Sequence, residues 1–249
     1  GDRNAVAYAL AGIAHQAGAV VMKVYEADGG HRAKADGSPV TDADEQAEAL
    51  ILAALAKRFP DVPVIAEEAA AGGRVPAPAR RFLLVDPLDG TREFVSRNGE
   101  FTVNIALVHA HRPVLGVVHA PVLQRDYYAV EGYGALRVDG DGTTKPIRVR
   151  QPPARPLRIV GSRSHRGDSL DGFLARAGEH ELVAIGSSLK LCLVAEGAAD
   201  VYPRLGPTME WDTAAGQAVV EQAGGHVVGL DGQPLAYNAR PELPNPHFP

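Results

Sequence analysis

Phe82-Leu83-Leu84-Val85-Asp86-Pro87-Leu88-Asp89-Gly90-Thr91 runs from four apolar residues straight into two aspartates. The apolar run reads as a buried strand, and a chain leaving a sheet presents its next residues beyond the sheet's carboxyl edge. Pro87 fixes its own φ and biases Asp86 towards an extended conformation. Asp86 and Asp89 are therefore expected to converge, leaving the Leu88 carbonyl as a third oxygen. Hard cations such as Mg²⁺ take oxygen ligands of this kind and keep waters or phosphate oxygens in their other positions. Gly90 lets the backbone approach a ligand closely, and a helix opening at Thr91 would offer free N–H groups to a phosphate. Taken alone, the same six residues from Asp86 also describe a turn followed by a helix cap.

Upstream, the branched run at residues 62–66 reads as a strand ending on Glu67-Glu68, a pair that a solvated loop start would also explain. Thr41, with Asp44 three residues later and Leu50, Ile51, Leu52 and Leu55 beyond, predicts a capping-box helix running to about Arg58. Apolar residues at Ala7, Leu10, Ile13, Ala14, Ala17, Val21 and Val24 predict a helix over residues 4–25. Residues 69–79, rich in Ala, Gly and Pro, read as a mobile surface loop. Downstream, residues 102–108, 114–119 and 127–130 predict strands bounded by Gly, Pro or Asn. Two helices followed by a strand meander make the first half α+β.

The Pro-rich stretch at 151–156 marks an internal boundary, because prolines stiffen and expose a chain where few contacts cross. It divides one compact catalytic unit into residues 1–150 and 151–249. Beyond it, strand-like 157–160, helix-like 168–177 and 187–196, strand-like 199–202 and helix-like 211–223 alternate, so the second half reads α/β. Glu210-Trp211-Asp212 stands at the start of the last helix, where Asp212 is either a metal ligand or a helix cap. Each acidic fragment has a bland explanation of its own. Three of them at strand or helix ends are what a multi-metal phosphoryl-transfer site requires: carboxylates to hold cations and a helix N-terminus aimed at phosphate.

Composition narrows the field. With 249 residues, 45% hydrophobic and 22% charged, the chain can bury a sizeable core and is not compositionally disordered. A net charge of −5 lacks the basic excess of a protein that tracks a nucleic-acid polymer. Cys192 is the sole cysteine, so no intramolecular disulfide can form, and its apolar neighbours Leu191, Leu193 and Val194 favour burial. No uninterrupted apolar run reaches the ~18 residues that span a bilayer, and no signal-peptide pattern opens the residues given. The expectation is a cytoplasmic protein without a transmembrane segment. Peripheral contact with the inner membrane and the oligomeric state are left open.

Glu67-Glu68, the motif at 86–91 and Trp211-Asp212-Thr213-Ala214-Ala215-Gly216 resemble the three signatures of the inositol monophosphatase superfamily. Further segments are similar to its bacterial 3′(2′),5′-bisphosphate nucleotidase branch: Arg92-Glu93-Phe94, residues 98–107, Gly161-Ser162-Arg163-Ser164-His165, Gly186-Ser187-Ser188-Leu189-Lys190 and Gly206-Pro207-Thr208-Met209-Glu210. The resemblance spans nearly the whole chain. It implies a layered α-β-α-β-α sandwich with the site between the two halves, sensitivity to Li⁺, and two or three Mg²⁺ ions held by Glu67, Asp86, the Leu88 carbonyl, Asp89 and Asp212. Glu68 would play a supporting part. Val40-Thr41-Asp42-Ala43-Asp44 matches the family's Val-Thr-x-x-Asp, which implies that Asp44 pairs with Thr91 to orient and deprotonate an attacking water, with Glu67 assisting; Asp42 is an extra acid in that element.

On the substrate side, the resemblance implies a small nucleotide bisphosphate. Asp89, Gly90, Thr91 and Asp212 would meet the reacting phosphate, and His165, Ser187, Lys190 and Arg204 the adenosine and its 5′-phosphate. A second phosphate away from the metals needs cations of its own, which Lys190 and Arg204 supply. Leu191 stands where a Phe is common. The implied reaction removes the 3′-phosphate of 3′-phosphoadenosine 5′-phosphate, giving AMP and phosphate, a recycling step of sulfur assimilation. An inositol or other small-sugar phosphatase would share the carboxylates without reason for the 5′-phosphate contacts. A non-catalytic nucleotide-binding protein is the remaining alternative.

Overall fold

In the computed structural model, which describes residues 2–27, 30–163, 167–238 and 243–248, the periodic N-terminal segment forms α1 (Arg3–Glu26). Asp2 caps it by accepting the amide of Asn4. By length and apolar composition α1 is a candidate to cross a membrane, but it lies against α2 and the large sheet with Leu10, Ile13, Ala14, Ala17 and Val21 buried. A short hairpin of exposed β1 (His31–Ala33) and largely buried β2 (Pro39–Thr41) leads into α2 (Asp42–Arg58). Thr41 is the N-cap of α2 and Asp44 closes the expected capping box.

β3 (Val64–Ala66) runs directly into α3 (Glu67–Ala71), so the start of the expected loop at 69–79 is helical. The reason lies in α2: both Glu48 oxygens accept α3 amides, from Glu68 and Ala69, each at 2.7 Å. Next come β4 (Arg81–Asp89), α4 (Thr91–Val95), and the meander β5 (Thr102–His109), β6 (Arg112–Ala120), β7 (Arg125–Val130), β8 (Gly134–Asp139) and β9 (Thr144–Pro146). With β3 parallel to β4 and the rest antiparallel, these make a seven-stranded sheet in the order β3-β4-β5-β6-β7-β8-β9. Neither β8 nor β9 is legible as a strand in the sequence, because β8 carries Arg137 and Asp139 and β9 is an exposed Thr-Lys-Pro edge.

After the proline stretch, β10 (Leu157–Ser162), α5 (Asp168–Arg176) and β11 (His180–Ile185) form a parallel unit. α6 (Leu189–Ala195) and α7 (Glu210–Gln222) follow. The expected strand at 199–202 is reduced to one parallel bridge, Val201 to Ile159. Here Asp200 accepts the amides of Ala154 and Arg158 instead, which ties the segment down by a side chain.

Alternation along the strands builds the layers. Leu83 and Val85 face α1 and α2 in one core with Ile51, Leu55 and Leu115. Phe82 and Leu84 face the other way, into a core with Val118, Cys192, Trp211, Ala214 and Ala218. Val160 of β10 closes that second core from beyond, while its neighbour Ile159 packs with Leu170 and Leu174 of α5. The order is α1/α2, large sheet, α6/α7, small sheet, α5: the α-β-α-β-α sandwich. Gly116 lets α7 lie flat on β6, since a Cβ there would stand 2.4 Å from the Ala215 carbonyl oxygen.

Candidate active site

The strand registers assemble the acidic residues. Because Ala66 of β3 pairs in parallel with Val85 of β4, Glu67, just past the end of β3, and Asp86, still within β4, are brought side by side. Ordinary alternation would send Asp86 and Asp89 to opposite faces. A β-bulge intervenes: Asp86 pairs with Asn104 but Asp89 with Thr102, so three steps on β4 match two on β5. Pro87 sits in that bulge, where no ladder N–H is needed. Asp212 arrives from the first turn of α7, and Asp86, Asp89 and Asp212 each present an oxygen within 4.8 Å of the others. One Asp212 oxygen also accepts the Met209 amide at 2.8 Å. Asp212 therefore serves the helix terminus and the cluster together.

Crowding carboxylates in a buried place disfavours their charged forms. Glu67 is pushed up to about 8, mainly by burial, with Lys34 working against the rise and Asp212 adding to it. Asp86 lies well above the ordinary carboxylate range, through burial and then repulsion from Glu67 and Asp89. Asp89 rises to about 7, again through burial first and Asp212 second. Asp212 is raised by burial despite the Met209 amide. Four acidic groups with this much mutual repulsion fit divalent cations, which would relieve all four at once. Lys34 provides part of the compensation, its ammonium 2.9 Å from Glu67 Oε1 and 2.8 Å from Glu68 Oε1. No pattern in the sequence points to Lys34, a single lysine beside exposed β1. Glu68 shares Lys34 with Glu67 and is not among the carboxylates that converge at Asp86, Asp89 and Asp212.

Thr91, first residue of α4, follows Gly90 at φ +89, and its hydroxyl lies 3.0 Å from Asp44 Oδ1 and 3.3 Å from the Leu88 carbonyl. A side chain at Gly90 would be strained by that φ and would meet Glu93, the Glu100 carbonyl and Ser187 at 3.1–3.2 Å. Asp44 is fully buried, and burial is the main reason its carboxyl is raised. Asp42, its neighbour in the same element, is exposed and pairs with Arg32.

A cavity of about 240 Å³ opens on these groups. Glu67, Asp89, Gly90, Thr91 and Asp212 line it together with Ser187, Lys190 and Arg204. Asp86 and Asp44 lie beneath, buried. His165 falls outside the described residues. Lys190 is buried with its ammonium 5.6 Å from the centre of the Tyr202 ring. Burial brings the Lys190 ammonium down to about 8, with Asp89 opposing the fall. Arg204 Nη2 donates to the Pro207 carbonyl at 3.0 Å, and its buried Nε has no protein acceptor. The amide of Ser188, just before α6, is turned to Asp89 Oδ2 at 2.6 Å, so that donor holds a carboxylate and is not available to a second phosphate.

Several positioning residues escape sequence reasoning. Asn104 Oδ1 accepts from both Thr102 and Ser188 hydroxyls at 3.0 Å, and its Nδ2 donates to Asp89 at 3.3 Å. Arg163 forks onto Glu100 with two 2.8 Å bonds, and Glu100 accepts the Gly186 amide ahead of Ser187. Glu48 fixes α3 and with it Glu67. The signal for Asn104 was present in principle: an amide inside an otherwise apolar strand must find partners.

The sequence profile of the inositol monophosphatase family matches residues 2–246. The chain belongs to that family. Among its curated relatives, the 3′(2′),5′-bisphosphate nucleotidase CysQ of Salmonella typhimurium is 50% identical over 240 residues, covering 95% of each chain. CysQ of Escherichia coli K12 is 50% identical over 238 residues with the same coverage. The crystal structure of CysQ from Bacteroides thetaiotaomicron superposes with a TM-score of 0.83 at 39% identity, over 98% of this chain and 96% of that one. Family membership makes a metal-dependent phosphatase of the acidic cluster, which agrees with its donor chemistry: carboxylate and carbonyl oxygens, with no sulfur or imidazole.

Proposed function

We propose that this chain is a Mg²⁺-dependent 3′(2′),5′-bisphosphate nucleotidase that hydrolyses 3′-phosphoadenosine 5′-phosphate to AMP and inorganic phosphate. The observation that carries the reading is that one cavity is lined both by the carboxylate cluster and by two cations, Lys190 and Arg204. A substrate with two phosphates gives a partner to both sets of groups; a monophosphate gives one to a single set. The names of relatives half identical over the same length support the same substrate.

Two or three Mg²⁺ ions bound by Glu67, Asp86, the Leu88 carbonyl, Asp89 and Asp212 would supply Lewis-acid polarisation of the 3′-phosphate and a more acidic water. The chain's own residues orient the reaction. Asp44 keeps the Thr91 hydroxyl directed so that Thr91 can accept a proton from an attacking water as it passes its own to Asp44, and burial raises Asp44 towards accepting it. Asp89 is steadied by Ser188 and Asn104. Lys190 and Arg204, with Ser187, bind the 5′-phosphate; His165 is proposed to contact the adenosine.

The test is a phosphate-release panel with and without Mg²⁺. Preference for 3′-phosphoadenosine 5′-phosphate over inositol 1-phosphate by at least tenfold in kcat/KM is the expected result. Equal rates would make the chain a general small-sugar phosphatase, and tight nucleotide binding without Mg²⁺-dependent release would remove the enzymatic reading.

A further inference from the structure

A second cluster of ligating side chains joins α1 to the sheet, and none of its members lines the catalytic cavity. His119 on β6 and Asp126 on β7 are direct cross-strand partners. His15 reaches them from α1. His15 Nε2 lies 2.8 Å from Asp126 Oδ2, His119 Nδ1 lies 2.5 Å from Asp126 Oδ1, and the two imidazole rings stand 4.4 Å apart. One ligand atom from each residue falls within 4.8 Å of the other two. The geometry points to a binding site for a divalent transition metal of the Zn²⁺ class, held by His15, His119 and Asp126 and separate from the catalytic ions.

Three observations carry this. The first is charge. Asp126 is buried, and its ion-pair partners among the described residues are the two imidazoles, with no lysine or arginine among them. Asp139 nearby shows the alternative, with Arg125, Arg137 and Lys145 around it. A buried carboxylate without a permanent cation favours one from solution. The second is the clearance for the ring. Gly18 lies in the interior of α1, one turn from His15, and a Cβ there would stand 2.3 Å from His119 Nε2. Glycine weakens a helix, and its presence here is what admits the imidazole.

The third is donor chemistry. Two imidazole nitrogens and one carboxylate oxygen make a three-ligand set that suits Zn²⁺, Ni²⁺ or Cu²⁺, whereas Mg²⁺ prefers oxygen alone. A tetrahedral Zn²⁺ keeps its ligands about 3.4 Å apart, wider than the 2.8 and 2.5 Å contacts to Asp126, so the ion would enter as these contacts open, with half-exposed His15 on the solvent side. The side of the cluster lined by Met22, Gln124 and Gly140 is an open cavity, leaving room for a water as the fourth ligand. Binding would pin α1 to β6 and β7.

The experiment uses the full chain with saturating Mg²⁺, so that the acidic cluster is filled. Co²⁺ is titrated as a spectroscopic probe and Zn²⁺ is counted by equilibrium dialysis. The expected result is one strongly absorbing, imidazole-ligated Co²⁺ per chain, displaced by one Zn²⁺. His15→Gln, on the exposed side, should retain the fold and the Mg²⁺-dependent phosphatase activity yet weaken Zn²⁺ binding by about 100-fold or more. His119→Gln should do the same, and Gly18→Ala should act like a ligand loss by displacing the His119 ring. A folded wild-type chain without the Co²⁺ band, or Zn²⁺ binding unchanged in His15→Gln and His119→Gln, overturns the assignment. Because the readout is bound metal, its failure is distinct from any failure of the nucleotidase reading.

Discussion

Thr91 and Asp44, 47 positions apart, meet at 3.0 Å, and the two oxygens of Asp44 are divided between them and the start of a helix. Oδ1 takes the Thr91 hydroxyl, while Oδ2 takes both the amide and the hydroxyl of Thr41 at 2.7 Å. On the proposed mechanism, activity and helix capping therefore share one carboxylate. Thr91→Val should lower kcat by about 100-fold, the size of a lost acid–base group, with little change in Tm. Asp44→Asn should lower kcat similarly and also cost about 1 kcal/mol of stability through the weakened cap. Phosphate release at saturating substrate, set beside thermal melts of both variants, separates the two roles. Undiminished kcat in Thr91→Val would remove Thr91 from the proton path.

Asp89 lines the cavity and converges with Asp86 and Asp212, whereas Glu68 does neither. Glu68 instead bonds Lys34. Asp89→Asn should reduce turnover by roughly 100- to 1,000-fold, corresponding to about 3–4 kcal/mol of transition-state stabilisation. Glu68→Gln should cost less than about tenfold. Turnover of Asp89→Asn equal to wild type at saturating Mg²⁺ contradicts the ligand role.

Much of this was legible in the sequence because the site sits where strong local signals end. The helix over α1 follows from its apolar period, α2 from the capping box, and the position of Asp86 and Asp89 from an apolar strand broken by proline. Pairing register was not legible. That Glu67 and Asp86 come together depends on Ala66 meeting Val85, a long-range choice that no local pattern encodes. Lys34 and Glu48 were invisible for a related reason: each is an ordinary charged residue whose function comes from what folding brings beside it. The three-residue strands β1 and β2, and the partly polar β8, lack the alternation by which strands are recognised.

Lys190 is a buried cation lining the same cavity as the carboxylates, its ammonium 5.6 Å from the centre of the Tyr202 ring. If it binds the 5′-phosphate, Lys190→Met should raise KM for 3′-phosphoadenosine 5′-phosphate by about 10- to 100-fold, the equivalent of a charged hydrogen bond of about 1.5–3 kcal/mol. The KM for inositol 1-phosphate, which has no second phosphate, should change by less than about threefold. Steady-state kinetics on both substrates makes the comparison. An equal rise in both would assign Lys190 to the reacting phosphate instead.

The carboxylate cluster also couples metal, pH and stability, and the sign follows from the direction of the shifts. Glu67 is pushed up to about 8 and Asp89 to about 7, both chiefly by burial. In the unfolded chain the same groups titrate near 4. Between those limits the metal-free folded protein binds more protons than the unfolded chain, so its stability is highest at the acid end of the window and falls as pH rises towards 8. In EDTA, Tm should therefore drop steadily from about pH 5 to about pH 8 as these groups lose their protons. Mg²⁺ should reverse the drop, raising Tm more at pH 8 than at pH 6, because cations replace the protons that hold the cluster together. Calorimetry of Mg²⁺ binding near pH 7 in buffers of different ionisation enthalpy should then register proton release. A Tm that stays flat across this range in EDTA, with no proton release on Mg²⁺ binding, would mean that the four carboxylates are already ionised without metal.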